Sequence, residues 1–281
     1  MPLNPYPPHR ILSDVSNALM EDMGNGDLTA QLIPENSTAQ ATIITRQDMI
    51  LCGSPWFETC FRTLDAECEV LWKAKEGDAA RANQTLCEVR GKARALLTAE
   101  RTGLNFLQML SATATVTRSY VDTVKGLKAK IMDTRKTLPG LRMAQKYAVT
   151  VGGGYNQRIG LFDGILIKEN HIMAAGGIRP ALQTAYSLAP KSATVQIEVE
   201  NLKELREALD AGAKLILLDN FSLSDLKVAV AMNTGGAELE ASGGVNLQTV
   251  RAIAETGVDR ISIGGLTKDV QAIDLSMRFG V

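Results

Sequence analysis

Apolar residues recur along this chain in two rhythms, and the change falls near residue 110. Before it, residues 12–20 read as a helix, residues 38–46 and 67–73 alternate like half-buried strands, and Glu76-Gly77-Asp78 has the composition of a turn. A longer helix is predicted from 93 to about 110, with Leu96, Leu97, Leu104, Leu107 and Leu110 as its apolar positions. The first part is therefore an α+β pattern. From Lys130 onward, short apolar runs at 130–132, 165–167, 195–199, 215–218, 238–241 and 261–263 alternate with helical segments such as 201–210, 222–232 and 247–255. Six such units argue for a parallel sheet wrapped by helices. Gly212, Gly257 and the Gly235-Gly236 pair stand just after helices, where a left-handed residue closes the last turn.

Each apolar run of the second part stops at a burst of polar or glycine residues. These read Asp133-Thr134-Arg135-Lys136, Lys168-Glu169-Asn170-His171, Glu198-Val199-Glu200-Asn201, Asp219-Asn220, Ser242-Gly243-Gly244 and Gly264-Gly265. In an α/β barrel the carboxyl ends of all strands meet at one rim, where active sites are built, so these residues are expected to converge. A full barrel needs eight strands and six are counted, which points to an incomplete or open one.

Sorted by chemistry, the rim offers cations at Arg135, Lys136, Arg158 and Lys168, with Arg142 nearby in sequence. It offers carboxylates at Asp133, Glu198, Glu200 and Asp219, and glycine pairs whose backbone N–H groups can approach a ligand. Cations and free N–H groups hold phosphate oxygens, and carboxylates hold the magnesium that accompanies pyrophosphate, so the set suits a phosphorylated substrate. Glu200 or Asn201 could equally cap the following helix. The Gly152-Gly153-Gly154 run lacks the Gly-x-Gly-x-x-Gly spacing of a dinucleotide site, and no Gly-x-Ser-x-Gly elbow accompanies His171.

Composition narrows the picture further. The 281 residues, 45% hydrophobic and 22% charged, suit an ordinary soluble enzyme of one large or two modest domains. A formal net charge of −1 gives no global basic field for nucleic acid or an anionic membrane. No apolar stretch approaches the roughly 18 residues of a membrane span, and the proline-rich start lacks a basic segment followed by an apolar one, so a cytosolic protein is expected. Cys52, Cys60, Cys68 and Cys87 form no Cys-x-x-Cys and have only two histidines to help them. They read as small core hydrophobes in a reducing compartment, without zinc.

The longer motifs resemble the quinolinate phosphoribosyltransferase (decarboxylating) family. Asp133-Thr134-Arg135-Lys136-Thr137-Leu138-Pro139-Gly140-Leu141-Arg142, Lys146-Tyr147-Ala148-Val149, Gly152-Gly153-Gly154 and Leu166-Ile167-Lys168-Glu169-Asn170-His171 carry the likeness. So do Gly26-Asp27-Leu28-Thr29, Thr98-Ala99-Glu100-Arg101-Thr102, Glu198-Val199-Glu200-Asn201, Leu218-Asp219-Asn220-Phe221 and Ser242-Gly243-Gly244. The resemblance implies an amino-terminal α/β sandwich domain over residues 1–110, which about 270–281 can rejoin, and an open α/β barrel over 111–269. It implies transfer of phosphoribosyl from phosphoribosyl pyrophosphate to quinolinate with loss of CO2, giving nicotinate mononucleotide for NAD biosynthesis. Magnesium would be the cofactor, and the enzyme a homodimer or an oligomer of dimers.

The same resemblance places Arg135, Arg158 and Lys168 on the quinolinate carboxylates, aided by Arg101 from a neighbouring subunit. Lys136, Glu198 and Asp219 become the catalytic set, with Glu198 and Asp219 on the metal. Thr134, Ser242, Gly243, Gly244, Gly264 and Gly265 join the substrate pocket. At Gln157 the family usually has histidine, so a neutral amide stands where an imidazole could gain charge. The residues alone leave three other readings open: a paralogous phosphoribosyltransferase such as the molybdenum-associated relatives, a lyase using Lys136 or Lys168 as a Schiff-base lysine, and a non-catalytic binding protein.

Overall fold

The computed structural model describes residues 6–280, and the chain divides into two compact units. One takes in the chain up to Arg118, Leu138–Gly153 and the segment from Asp269 on. Its helices are α1 (Pro8–Met23), α2 (Ser54–Leu64), α3 (Ala93–Thr123, whose last residues belong to the other unit) and α4 (Arg142–Val151). Its strands are β1 (Thr38–Thr45), β2 (Met49–Ile50), β3 (Glu69–Trp72), β4 (Ala79–Ala80) and β5 (Thr85–Lys92). β5 pairs antiparallel with both β1 and β3, and β2 with β4.

Sequence explains most of these elements. α1 opens on Pro8, whose fixed φ and missing N–H suit the first helical turn, and buries Ile11, Val15 and Leu19 as a single stripe. At the start of α2 the Glu76 carboxylate accepts hydrogen bonds from the backbone N–H groups of Gly53 (2.8 Å) and Ser54 (3.0 Å), satisfying donors that the helix cannot. Trp56, Phe57, Cys60 and Phe61 of α2 enter the core, where the Trp56 ring lies 4.7 Å from that of Tyr6 and 5.6 Å from that of Tyr147. All four cysteines are buried free thiols of this unit. Burial pushes Cys60 up to about 12 and Cys68 up to about 11, far from the reactive thiolate.

α3 runs thirteen residues beyond the predicted end at 110, through a segment rich in serine and threonine. The hydroxyls of Thr113, Thr115, Thr117 and Thr123 each donate to the carbonyl four residues earlier. That backbonding satisfies side chains which otherwise compete with helix.

The other unit contains Ser119–Thr137 and Gly154–Lys268. It holds β6 (Lys130–Met132), β7 (Gly164–Ile167), β8 (Thr194–Val199), β9 (Leu215–Asp219), β10 (Glu238–Ser242) and β11 (Arg260–Ser262). The helices are α5 (Glu169–Ala175), α6 (Ile178–Leu188), α7 (Leu202–Asp210), α8 (Leu223–Met232), α9 (Val250–Glu255) and α10 (Gly265–Lys268). The six strands form one parallel sheet in the order β6-β11-β10-β9-β8-β7. The last strand thus closes onto the first while β6 and β7 do not pair. This is the open α/β barrel expected from the strand count. Ile131, Ile197, Ile216, Leu218, Leu239 and Ile261 are among its buried strand residues. Of the two candidate caps after β8, Asn201 does the capping: its side chain accepts from the Glu204 N–H at 3.0 Å.

Beyond the barrel, β12 (Leu275–Phe279) pairs antiparallel with β1, with Ile43 opposite Met277. Among the described residues no helix is long and apolar enough to cross a membrane.

Candidate active site

The opening between β6 and β7 is partly filled by residues 155–158. Tyr155 donates its N–H to the Ile131 carbonyl (2.8 Å) and accepts from the Asp133 N–H (3.0 Å), forming a parallel bridge on the free edge of β6. Asp133 is fully buried, and its carboxylate accepts from the Gln157 N–H at 2.8 Å and the Asn156 amide at 2.7 Å. A carboxylate so placed is a structural clamp, which distinguishes it from the other rim acids.

The clamp delivers Arg158. Its Nη1 donates to the Gly164 carbonyl at 3.0 Å, where β7 begins. Burial first, and the charge of Arg135 second, push the Arg158 pKa below its ordinary value, which places the two guanidinium groups in each other's field. The Nε of Arg135 is buried without a hydrogen-bond partner. Two partly desolvated cations that repel each other, one with an orphaned donor, are costly unless an anion joins them.

Beside them a tight turn presents Lys136: its N–H donates to Thr134 Oγ1 at 3.0 Å and its carbonyl accepts from Thr267 Oγ1 at 2.7 Å. The Lys136 stem passes over Gly264, where an added Cβ would lie 3.0 Å from its Cδ. Across the ends of β7 and β8, Lys168 Nζ contacts both Glu198 oxygens, at 3.0 and 2.9 Å. At the end of β9, Asp219 accepts from the Asn220 amide at 2.8 Å, and Asn220 itself sits in the left-handed region at φ 55°. Gly243 (φ 104°) follows β10, and a Cβ there would collide with the Asn220 side chain. Among the described residues no hydrogen bond uses the N–H of Gly243 or Gly244. Free N–H groups in a positive-φ turn make a concavity for anions.

The barrel unit therefore contains Thr134, Arg135, Lys136, Arg158, Lys168, Glu198, Asp219, Ser242, Gly243, Gly244, Gly264 and Gly265, together with Gln157, whose side chain turns away from the rim toward Gln196 and Glu240. Arg101 is exposed on α3, and Arg142 opens α4, both in the other unit. Sequence reading missed Gln196, Glu240 and Ser262, which are buried polar residues of the barrel strands. The signal available was a polar residue inside an apolar run, as in Val195-Gln196-Ile197 and Leu239-Glu240-Ala241. Among the described residues no group of three or more His, Cys, Asp or Glu side chains could hold a metal. Two rim carboxylates, Glu198 and Asp219, lie on the paired strands β8 and β9, and a hard cation that draws most of its shell from substrate oxygens and water needs only one or two carboxylates from a protein.

Fold and rim together define a barrel enzyme for anionic substrates, one of them carrying phosphate. The chain belongs to the quinolinate phosphoribosyltransferase family: the family models for the N-terminal and C-terminal domains match residues 27–111 and 113–278. It is 40% identical over 273 residues to the nicotinate-nucleotide pyrophosphorylase (carboxylating) of Mycobacterium leprae, covering 94% of this chain and 95% of that one. It is 37% identical over 293 residues to the mitochondrial quinolinate phosphoribosyltransferase (decarboxylating) 2b of Nicotiana tabacum, covering 97% of this chain and 83% of the other. The solved nicotinate-nucleotide pyrophosphorylase from Francisella tularensis superposes with a TM-score of 0.95 at 46% identity, covering 99% of this chain and 98% of that one.

Proposed function

We propose that this chain transfers phosphoribosyl from phosphoribosyl pyrophosphate to quinolinate and releases CO2, yielding nicotinate mononucleotide and pyrophosphate. The observation that carries the reading is the Arg135 and Arg158 pair, partly desolvated and in each other's field. Quinolinate bears two adjacent carboxylates, which a site without paired cations would bury at heavy cost.

Arg135, Arg158 and Lys168 hold the quinolinate carboxylates and aim the ring nitrogen. Lys136 and the N–H groups at Gly243, Gly244, Gly264 and Gly265 hold phosphate oxygens, with Thr134 and Ser242 beside them. Glu198 fixes the Lys168 ammonium, and Asp219 and Glu198, on adjoining strand ends, would hold magnesium. When bound, that ion withdraws charge from the pyrophosphate leaving group. The ring nitrogen forms a bond to the ribose carbon as the carbon–oxygen bond to pyrophosphate breaks, a step that depends on positioning. The ring is then cationic and accepts the electron pair left when the 2-carboxylate departs as CO2; a proton completes that carbon.

Arg101 completes the acceptor site from a neighbouring subunit of a homodimer or an oligomer of dimers. A cytosolic setting is supported by four buried thiols with no disulfide among them.

The test is steady-state kinetics on Arg135→Ala and Arg158→Ala. Removing one partner of a buried charge pair costs about 2 to 5 kcal/mol, so the quinolinate KM should rise roughly 30-fold or more. The phosphoribosyl pyrophosphate KM should change little. Equal weakening of both substrates would refute the assignment.

A further inference from the structure

Below the rim, the barrel interior holds a polar cluster that none of the chemistry above uses. Glu240 of β10 is 1% exposed, and Gln196 of β8 and Ser262 of β11 are each 5% exposed. Barrel interiors are ordinarily filled by branched apolar side chains, and a buried carboxyl is costly unless its oxygens are fully hydrogen-bonded. Here they are. Gln157 Nε2 lies 2.6 Å from both Glu240 oxygens, Gln196 Nε2 donates to Glu240 Oε2 at 3.0 Å, and Ser262 adds a further hydrogen bond. Among the described residues no ion pair forms on Glu240, because Arg260, the cation that acts on it through space, is paired with Glu238. Amide donors and the Ser262 hydroxyl hold this carboxyl.

The other end of the network reaches the rim. Gln157 Nε2 also donates to Gln196 Oε1 at 3.0 Å, and Gln157 Oε1 accepts from the backbone N–H of Arg158 at 3.2 Å. Both donors and the carbonyl of this one planar amide are thereby engaged. Glu240 thus fixes the Gln157 side chain from below, Asp133 fixes the Gln157 backbone, and the Arg158 backbone hangs on the result. Glutamine suits the position because it supplies two donors and an acceptor together.

We propose that Glu240 is a positioning residue for the acceptor site: through the Gln157 amide it sets where the Arg158 guanidinium stands, and hence how well quinolinate is held. The proposal rests on the reading that Arg158 binds quinolinate. It makes the Gln157, Gln196 and Glu240 cluster specific to one substrate of the two.

Glu240→Gln keeps the shape of residue 240 but turns one of the two acceptors that face Gln157 Nε2 into a donor, which sets two N–H groups against each other. The quinolinate KM should rise about tenfold, within the range for coupled neighbours. The phosphoribosyl pyrophosphate KM should stay close to that of the parent even where the thermal unfolding midpoint falls. A merely structural role would not produce that split. In the Arg158→Ala background the same substitution should add little to the quinolinate KM, because the group it positions is already gone. If Glu240→Gln does not fold, Gln157→Met, which keeps length and removes the amide, is read in the same way. An unchanged quinolinate KM, an equal rise for both substrates, or full multiplication with Arg158→Ala would overturn the proposal. If Arg158→Ala weakens quinolinate while Glu240→Gln does not, only this inference fails. If Arg158→Ala itself leaves quinolinate untouched, the acceptor-site assignment falls, and this inference with it.

Discussion

At Gly243 two constraints act on one residue. Its φ of 104° strains any L side chain, and an added Cβ would run into Asn220, which is itself held at φ 55°. Positions of this kind persist when the surrounding structure uses them. Gly243→Ala should therefore cost about 1 to 3 kcal/mol of stability and raise the phosphoribosyl pyrophosphate KM while sparing that of quinolinate. Kinetics with each substrate varied in turn would show it, and an unchanged phosphoribosyl pyrophosphate KM would remove this turn from the phosphate cradle. Arg135, Lys136 and Lys168 were legible in the sequence for a simple reason: a charge that ends an apolar strand has only the rim to occupy. Glu240 and Gln196 were not, because the alternation of a strand marks its faces without saying that a barrel lumen can satisfy a polar side chain. Gln157 was singled out by its residue type, but its downward course depends on partners 39 and 83 positions away.

Among the elements, the six barrel strands were read to within a residue or so of their ends, since each is a short β-rich apolar run with punctuation on both sides. The left-handed glycines Gly212 (φ 83°) and Gly257 (φ 94°) stand after α7 and α9 as helix-closing residues should. α2, α4 and the central strand β5 were missed. Trp56 and Phe57 on α2 sit in an apolar patch that suits strand as well as helix, and Gly91 weakens the strand signal of β5 near its end. The sequence predicts an end to α3 near 110 because Ser111 and the threonines after it have poor intrinsic helix propensity. Ser111 shows what that composition does. Its hydroxyl accepts from the Cys52 N–H and donates to the Cys52 carbonyl, each at 3.0 Å, and both residues are fully buried. Ser111→Ala would strand both backbone groups and should cost about 1 to 3 kcal/mol. Urea unfolding should show a lower midpoint with the slope unchanged, and an unshifted midpoint would mean the pair contributes nothing net.

In the proposed enzyme Arg101 makes the assembly, and not one chain, the working unit. It is exposed on α3, while the other acceptor cations belong to the barrel unit. If it serves a neighbour, a two-fold dimer makes the loan reciprocal. Arg101→Ala and Lys136→Ala subunits, each inactive alone, should then recover activity when mixed after dissociation and reassociation. Random pairing makes about half the dimers mixed, each with one intact site, so roughly a quarter of the wild-type activity should return. No recovery despite demonstrated subunit exchange would place Arg101 in its own subunit's site or outside the chemistry. The central claim is that one rim carries out both phosphoribosyl transfer and decarboxylation, and it is tested most directly by following the lost carboxyl. Purified protein given magnesium, phosphoribosyl pyrophosphate and quinolinate labelled at the 2-carboxyl should release labelled CO2 and nicotinate mononucleotide in equal amounts, with no label released when phosphoribosyl pyrophosphate is omitted. A nucleotide product that keeps both carboxyls, CO2 released without phosphoribosyl pyrophosphate, or no turnover at all would contradict it.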